Sequence, residues 1–310
     1  MKTYEHIYQH LSENTFISGE KLAQELKVSR SAIWKGIKTL EEQGIVIEAV
    51  KKKGYRIISG NLLVPKAISQ ALKIPVTYLS VSQSTQQDAK TAALKGAHAP
   101  QLYLAPYQTA ARGRLNRYFH ADSHGGIYMT LHLKPNCSYD HLPAYTVLVA
   151  SSIVKAIARL TGKSPDIKWV NDIFLEGKKI AGILSEAVTS VETGQVTDMF
   201  IGVGLNFHIL SFPEDLKEIA GSLFTENPTI TRQELICEIW RLFFTIPEHD
   251  LIKIYKEKSL VLNKQVTYEQ DGKTMTAKVL SITDQGHLIL KTKDDKEITL
   301  TGGEVSLSSW

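Results

Sequence analysis

Cysteine is almost absent from this sequence: only Cys137 and Cys237 occur in 310 residues. They are far apart and form no Cys-x-x-Cys pair, so the sequence indicates neither a disulfide framework nor a structural zinc site. Long apolar runs are also missing. The N-terminus has no signal-peptide core, and no stretch approaches the roughly eighteen apolar residues needed to cross a bilayer. We therefore expect a cytoplasmic protein that does not associate with membranes.

Excess charge is small as well. Lys and Arg number 36 against 32 Asp and Glu, and the net charge of +4 does not by itself indicate a nucleic-acid partner. Residues 1–60, however, contain ten basic and seven acidic side chains, so the N-terminal segment is mildly basic. With 43% hydrophobic and 22% charged residues, the chain as a whole is typical of a globular protein with two or three domains.

The N-terminal segment has the pattern of a helix-turn-helix. Ser18 is placed to cap a helix over residues 19–26, and Ser29 to cap a second helix that Gly44 ends. Apolar residues recur at helical spacing in the second helix and predict its buried face. The residues that we expect on its other faces suit contacts with phosphates and groove edges. These candidate DNA-binding residues are Arg30, Ser31, Trp34, Lys35 and Lys38.

A hairpin with a basic tip follows. Two strand-like runs, 45–50 and 55–58, flank the tip residues Lys51, Lys52 and Lys53 and the turn residue Gly54. The order of elements resembles a winged helix, in which such lysines lie against the DNA backbone and give salt-dependent affinity. The alternative is a small helical cap whose charges are only solvated.

The remaining chain divides into two patterns. Between residues 63 and 262, apolar strand-like runs such as 101–106, 127–133, 180–186 and 199–205 alternate with helix-like stretches, which predicts a mixed α/β domain. Residues 145–160 predict a core helix with no chemistry of its own. After residue 262, short alternating runs separated by turns predict a small β-barrel. The predicted domains are therefore 1–62, 63–262 and 263–310.

A loop after one of these strands concentrates positive charge. Three arginines and a glycine lie within six consecutive positions: Arg112, Gly113, Arg114 and Arg117. Cations this close repel one another unless an anion lies among them, and Gly113 allows the backbone to approach a ligand closely. A phosphate-bearing ligand fits that demand, although the spacing is not that of a P-loop or a dinucleotide-binding fingerprint.

Two further clusters are weak when taken singly. One is Lys168-Trp169-Val170-Asn171-Asp172, followed by Lys179 at the mouth of an apolar strand. The other is Gly202-Val203-Gly204-Leu205-Asn206, in which Gly-x-Gly can mark no more than a close backbone approach.

In this order, the clusters resemble the biotin protein ligase family, as do Ser84-Thr85-Gln86 and residues 302–307. The resemblance covers nearly the whole chain, and the basic N-terminal segment matches the subgroup that doubles as a biotin operon repressor. It implies an α+β protein with an N-terminal winged helix-turn-helix, a central mixed α/β biotin/lipoate-ligase-like catalytic domain and a C-terminal SH3-like barrel. The implied reaction joins biotin and ATP into biotinyl-AMP and passes biotin to a lysine of a biotin carrier domain of acetyl-CoA carboxylase type.

The resemblance also implies roles for individual residues. Catalysis would depend on Arg112, Arg114 and Lys179, with Arg114 retaining the reactive intermediate. Biotin would contact Ser84, Thr85, Gln86, Gln108, Arg112, Gly113, Arg114, Lys179 and Gly182. The nucleotide would contact Arg117, Phe119, Lys168, Trp169, Asn171, Asp172 and Asn206. Asp172 would also bind Mg²⁺, since a carboxylate is a hard oxygen donor.

The chain departs from the family pattern at three places: Ala111 replaces a usual glycine, Phe119 a tryptophan and Val170 a proline. None removes a charge or a donor, so we expect at most a reduced rate. By resemblance, biotinyl-AMP would act as corepressor, and a homodimer formed with it would carry two winged helices to operator DNA. The alternatives are a biotin-sensing repressor with weak or no ligase activity and a related lipoate or octanoate ligase.

Overall fold

The computed structural model describes residues 2–121, 124–270 and 272–307. Its N-terminal unit contains helices α1 (Thr3–His10), α2 (Gly19–Leu26) and α3 (Arg30–Glu42) and the antiparallel strands β1 (Val46–Val50) and β2 (Gly54–Ser59). The predicted caps form: Ser18 Oγ accepts from Lys21 N at 3.1 Å, and Ser29 Oγ accepts from Ala32 N at 3.2 Å. These caps satisfy amide groups that the first turn leaves open.

The core of this unit confirms the predicted buried face of α3, where Ile33, Ile37 and Leu40 are all buried. The sequence analysis did not predict α1, which adds the fully buried Ile7 to the same core. The core continues into the segment after β2 through Leu62. The helix pair and the hairpin therefore form one packed unit.

The central unit is built on one large sheet. Its strands are β3 (Val76–Tyr78), β4 (Gln101–Ala105), β5 (Gly126–Leu133), β6 (Cys137–Ser138), β7 (Asp166–Lys168), β8 (Asp172–Leu175), β9 (Lys178–Thr189) and β10 (Gln195–Asn206). Their order is β3-β4-β5-β10-β9-β8-β7, with β6 beside β10. Only β3 and β4 run parallel among the described strand pairs. Because successive side chains point to opposite faces, the sheet has two different surfaces.

Helices cover both surfaces. They are α4 (Pro65–Leu72), α5 (Thr85–Leu94), α6 (Tyr145–Thr161), α7 (Arg232–Thr245) and α8 (Glu248–Glu257). Ile127, Met129 and Leu131 of β5 join α6 and α7 in the main apolar core. On the other face, Thr130 of β5 meets the side chain of Gln86 in α5. This second face carries the polar groups of the candidate site.

The segment Tyr139–Thr161, which contains α6, differs from the sequence expectation. It is 23 residues long with a mean hydropathy of 1.3, so length and composition alone would allow it to cross a membrane. The expectation that no stretch comes close was therefore wrong. More than half of its apolar window is buried inside the protein, and residues such as Ile153 and Ile157 have no exposed surface. Packing against the sheet and the neighbouring helices accounts for its composition.

The C-terminal unit is an antiparallel sheet. Its strands β11 (Gln265–Gln270), β12 (Lys273–Ile282), β13 (Leu288–Thr292), β14 (Glu297–Leu300) and β15 (Val305–Leu307) lie in the order β14-β13-β12-β11-β15. The last strand was not predicted. The indole nitrogen of Trp169 donates to the Gly286 carbonyl at 2.7 Å, which ties this unit to the central one. The two units also share one apolar core, and the domain boundaries drawn from the sequence stay predictions.

Candidate active site

A cavity of about 280 Å³ lies on the α5 face of the central sheet. Its walls come from β5, β9 and β10, the first turn of α5, the arginine loop, the start of β8 and the loop before β15. Most of the residues that the sequence singled out line it. They are Ser84, Thr85, Gln86, Gln108, Arg112, Gly113, Arg114, Arg117, Phe119, Asn171, Asp172, Lys179 and Gly182.

The inner end of the cavity is a buried network of neutral polar groups. Thr85 donates to Gln108 Oε1 from its backbone nitrogen at 2.6 Å and from its hydroxyl at 3.1 Å. The Thr85 hydroxyl lies 2.9 Å from the Thr130 hydroxyl, which donates to Gln86 Oε1 at 3.1 Å. All four side chains are buried. Buried polar groups that bond one another hold fixed positions, so this end is preorganised.

Thr130 is the member of this network that the sequence analysis missed. It lies in the middle of β5 and has no exposed surface. The available signal was a hydroxyl at the centre of an otherwise apolar run, flanked by Met129 and Leu131. A buried hydroxyl needs a partner, so an isolated threonine in a core strand points to a polar group on the facing element.

The two glycines of β10 have steric roles on the cavity floor. A Cβ added at Gly202 would lie 2.6 Å from Gln86 Oε1, and one added at Gly204 would lie 2.5 Å from ring atoms of Phe119. Both distances are shorter than a real Cβ contact allows. The Gly-x-Gly spacing therefore lets Gln86 and Phe119 lie directly on the strand.

The arginine loop folds back on itself over the cavity. The Phe119 amide donates to the Ala111 carbonyl at 3.1 Å, and the Gly113 amide donates to the Arg117 carbonyl at 2.8 Å. Ala111 is buried and is not among the residues with positive φ, so its side chain causes no backbone strain where the family has glycine.

The cations of the loop are held from two sides. Arg114 Nη1 donates to Asn171 Oδ1 at 3.2 Å, and its Nη2 donates to the Gly303 carbonyl at 3.0 Å. Arg117 forms an ion pair of 2.7 Å with Glu304. The loop before β15 therefore contributes directly to the site, a contact that the sequence suggested only through the family motif.

Lys179 forms the second ion pair of the cavity, with its Nζ 2.7 Å from Asp172 Oδ1. Arg112 is exposed and makes no ion pair with the described residues. Four cations thus face two carboxylates around one cavity, an excess of positive charge that favours an anionic ligand.

A tyrosine supports the segment that carries Asn171 and Asp172. Tyr255 is fully buried, and burial raises the pKa of its hydroxyl far above the usual value, so the proton stays in place. The hydroxyl donates to the Val170 carbonyl at 2.9 Å. Through Tyr255, α8 therefore holds in place the segment that leads into β8.

Three predicted nucleotide residues do not line the cavity. Lys168 lies with its Nζ 5.7 Å from the centre of the Phe174 ring, and Trp169 is buried in its contact with Gly286. Asn206 ends β10, donates to the Gly221 carbonyl at 2.9 Å, and has no partner for its buried Oδ1 among the described residues. Their nucleotide roles stay predictions.

The candidate DNA-binding residues are all exposed. Trp34 is 56% exposed on α3, where Ser31, Lys35 and Lys38 are exposed as well. Arg30 pairs with Glu20 at 2.6 Å and lines a groove with Lys51 and Lys52 at the hairpin tip. Lys53 lies 5.9 Å from the centre of the Phe16 ring.

Comparison with known proteins identifies the family. Residues 4–56 match the HTH domain, residues 78–206 the biotin/lipoate A/B protein ligase family, and residues 261–308 the biotin protein ligase C terminal domain. The chain is 34% identical over 295 residues to the bifunctional ligase/repressor BirA of Bacillus spizizenii, with 90% of each chain covered. It belongs to the bifunctional biotin ligase/repressor family.

A second relative supports the family, and a solved structure supports the fold. The bifunctional ligase/repressor BirA of Bacillus subtilis is 34% identical over 297 residues, with 91% of each chain covered. The biotin protein ligase of Aquifex aeolicus in complex with biotin and ATP has the same fold, with a TM-score of 0.60, 22% identity, and 75% of this chain and 98% of that chain covered. The predicted α+β class, with a helix-turn-helix, a ligase fold and a C-terminal sheet, is confirmed.

Proposed function

We propose that this protein is an ATP-dependent biotin protein ligase that forms biotinyl-AMP and transfers biotin to a lysine of a biotin carrier protein. The observation that carries the proposal is that a buried neutral polar network and four cations line the same cavity. A substrate with an uncharged polar ring at one end and a carboxylate at the other matches both. Biotin has that chemistry.

The inner network suits the ureido ring of biotin. That ring has two N–H donors and one carbonyl acceptor, and the hydroxyls and amides of Thr85, Gln86, Gln108 and Thr130 provide both donors and acceptors. Leu184 adds apolar surface for the rest of the molecule, because it lies opposite Gly202 and therefore on the sheet face that carries Thr130.

The cations suit the first half-reaction. The biotin carboxylate attacks the α-phosphorus of ATP, a P–O bond forms, the bond to the β-phosphate breaks, and pyrophosphate leaves. Two anions must meet for this step, so the side chains that neutralise their charge lower the barrier more than an acid or base would. Lys179, held in place by Asp172, and Arg112 and Arg114 of the loop are the groups that we assign to it.

In the second half-reaction, the amine of the acceptor lysine attacks the acyl carbon and forms an amide bond. The bond between that carbon and the phosphate oxygen breaks, AMP leaves, and the amine gives up a proton to solvent. Because a free acyl adenylate would react with water, the site must cover it until the acceptor arrives. The loop that carries Arg114 and Phe119 lines the mouth of the cavity and is our candidate for that cover.

Mg²⁺ fits the site as a partner of ATP. No group of three or more His, Cys, Asp or Glu that could hold a metal ion occurs among the described residues. Mg²⁺ is often bound by one or two carboxylates together with substrate phosphates, and Asp172 in the cavity wall meets that need. When bound, the ion would neutralise phosphate charge.

We also propose the second function of the family, repression. The winged helix would bind operator DNA, with biotinyl-AMP as corepressor and a homodimer as the binding form. The exposed Trp34 and the lysines of α3 and the hairpin tip support a DNA surface. Ligation and repression together place the protein in the cytoplasm.

The ligase proposal is tested by ATP-dependent transfer of labelled biotin to a purified carrier domain. We expect transfer by the unchanged protein and a large loss in the Arg114→Ala and Lys179→Ala variants. Arg159→Ala is a matched control, because Arg159 pairs with Glu238 away from the cavity. Tight biotin binding without any transfer would overturn the ligase proposal and leave a biotin-sensing repressor.

A further inference from the structure

Arg232 is a buried cation without an acidic partner. It is the first residue of α7 and only 4% exposed, and no acidic residue described by the structure lies within ion-pair distance. Burial lowers the pKa of Arg232 to about 10, so the side chain is still charged at neutral pH. Burying an unpaired charge costs free energy, so the hydrogen bonds that Arg232 makes must offset that cost.

Those bonds join α7 to two other segments of the chain. The Arg232 guanidinium donates to the carbonyl of Asn61, which follows the winged helix, to the carbonyl of His124, and to the carbonyl of Gly126 at the start of β5 at 3.1 Å. The Arg232 backbone nitrogen also donates to Asn61 Oδ1 at 2.8 Å. A guanidinium has five donors in one plane, so it can hold several carbonyls at once.

His124 connects the end of α3 to the cavity. Gly44 lies just after α3, and a Cβ added there would be 2.9 Å from His124 Cβ, so the backbone at Gly44 lies close to the His124 side chain. On the other side, the His124 ring meets the edge of the Tyr107 ring, with centroids 5.4 Å apart. Tyr107 precedes Gln108, which bonds Thr85 inside the cavity. A continuous chain of contacts therefore runs from the end of α3 to the inner network.

We propose that Arg232 is a positioning residue that couples the winged helix to the ligand cavity by holding His124 between Gly44 and Tyr107. The inference deepens the repressor half of the proposed function and rests on it. Occupation of the cavity fixes Gln108 and its neighbour Tyr107, and His124 transmits that constraint to the end of α3. Without the carbonyl bonds of Arg232, His124 and the linker at Asn61 move independently of each other.

The test measures how strongly biotin with ATP changes the affinity of the full-length protein for operator DNA. The ratio to compare is the dissociation constant for operator DNA without biotin and ATP divided by the constant with them. In Asn61→Ala and Arg232→Lys, we expect this ratio to fall at least about fivefold, because one or two lost hydrogen bonds produce an effect of that size. Asn61→Asp keeps the acceptor and should restore the ratio. Biotin transfer to the carrier domain should continue in all three variants.

Tyr78→Phe is the matched control. The Tyr78 hydroxyl donates to Gln43 Oε1 across the same boundary between winged helix and catalytic unit, and none of the hydrogen bonds of Arg232 with Asn61, His124 and Gly126 involves it. Its ratio should stay that of the unchanged protein. An equal fall of the ratio in Tyr78→Phe would mean that the coupling depends on general docking of the domains and not on Arg232. That result would overturn the proposal.

Amide hydrogen exchange without DNA separates this inference from the proposed function. In the unchanged protein, biotin with ATP should slow exchange at the cavity and at residues 40–45. In Arg232→Lys, it should slow exchange at the cavity only. Equal slowing of residues 40–45 in the folded variant would overturn the inference. If the unchanged protein fails to bind operator DNA, the repressor proposal fails, while the exchange measurement still decides the coupling.

Discussion

The two ends of the cavity are built on different principles. At the inner end, Thr85, Gln86, Gln108 and Thr130 are neutral, buried and bonded to one another. At the mouth, the arginines of the loop and Lys179 are charged and partly exposed, and the partners of Arg114 and Arg117 come from distant segments. The inner end is complete before a ligand arrives, whereas the mouth has excess positive charge that only an anion balances. Substitutions at the inner end should therefore change binding, and substitutions at the mouth should change rate.

The largest effect is expected for Lys179→Ala at the mouth. Loss of a positioned charge that stabilises developing negative charge costs about 10² to 10³ in rate. Biotin-dependent release of pyrophosphate from ATP should fall by that factor, and biotin affinity should fall by a smaller one. Lys178→Ala is the matched control, because the Lys178 Nζ donates to the Lys217 carbonyl instead. Equal losses in both variants would contradict a specific role for Lys179.

The next effect is expected for Thr130→Val at the inner end. The substitution keeps the shape and removes the hydroxyl that joins Thr85 to Gln86, which leaves buried groups without a partner at a cost of about 1 to 3 kcal/mol. Biotin affinity measured by calorimetry should fall about 10- to 100-fold, with the KM for ATP almost unchanged. Thr197→Val, which loses a hydroxyl bond at the exposed end of β10, should bind biotin normally. A changed KM for ATP together with normal biotin affinity would contradict the assignment of the inner end to biotin binding.

Gly204→Ala tests the boundary between the two ends. The new methyl group would collide with the Phe119 ring, so the ring must move off β10. We expect the KM for ATP to rise about tenfold, since Phe119 stacking on a base contributes about 1 to 3 kcal/mol. In the double variant with Phe119→Ala, the collision disappears, and activity should be no lower than in Phe119→Ala alone. Additive losses would show that Gly204 acts independently of Phe119.

The smallest effect on ligation is expected when Lys51, Lys52 and Lys53 are all changed to Ala. These exposed lysines lie far from the cavity in the hairpin tip, so biotin transfer should not change. The slope of log affinity for operator DNA against log salt should become shallower by about 1 to 3, because each lost phosphate contact reduces it by about 1. An unchanged slope would mean that the hairpin tip does not contact the DNA backbone.

The sequence predicted those features that short segments determine. Ser18 and Ser29 cap their helices as expected, and Arg112 to Arg117 are close in sequence, so their concentration of charge was visible without a structure. The strands predicted at 101–106, 127–133, 180–186 and 199–205 each appear with slightly different bounds. Local propensity and periodicity decide these features, and both can be read from neighbouring residues.

Features that need distant segments to meet were not predicted. Arg114 and Gly303 are 189 residues apart along the chain, and Arg232 meets Asn61 across 171 residues. Trp169, assigned to the nucleotide through its motif, does not line the cavity, and its indole bonds Gly286 in the C-terminal unit. A motif indicates which segment carries a function, but tertiary packing decides which of its side chains face the cavity.

The central claim, attack of the biotin carboxylate on the α-phosphorus of ATP, is tested most directly by isotope transfer. Biotin labelled with heavy oxygen in its carboxylate is turned over with ATP and the carrier domain, and the nucleotide product is analysed by mass spectrometry. We predict AMP that carries one labelled oxygen, since the bridging oxygen of biotinyl-AMP leaves with the phosphate. Unlabelled AMP, or ADP as the nucleotide product, would contradict the proposed adenylate.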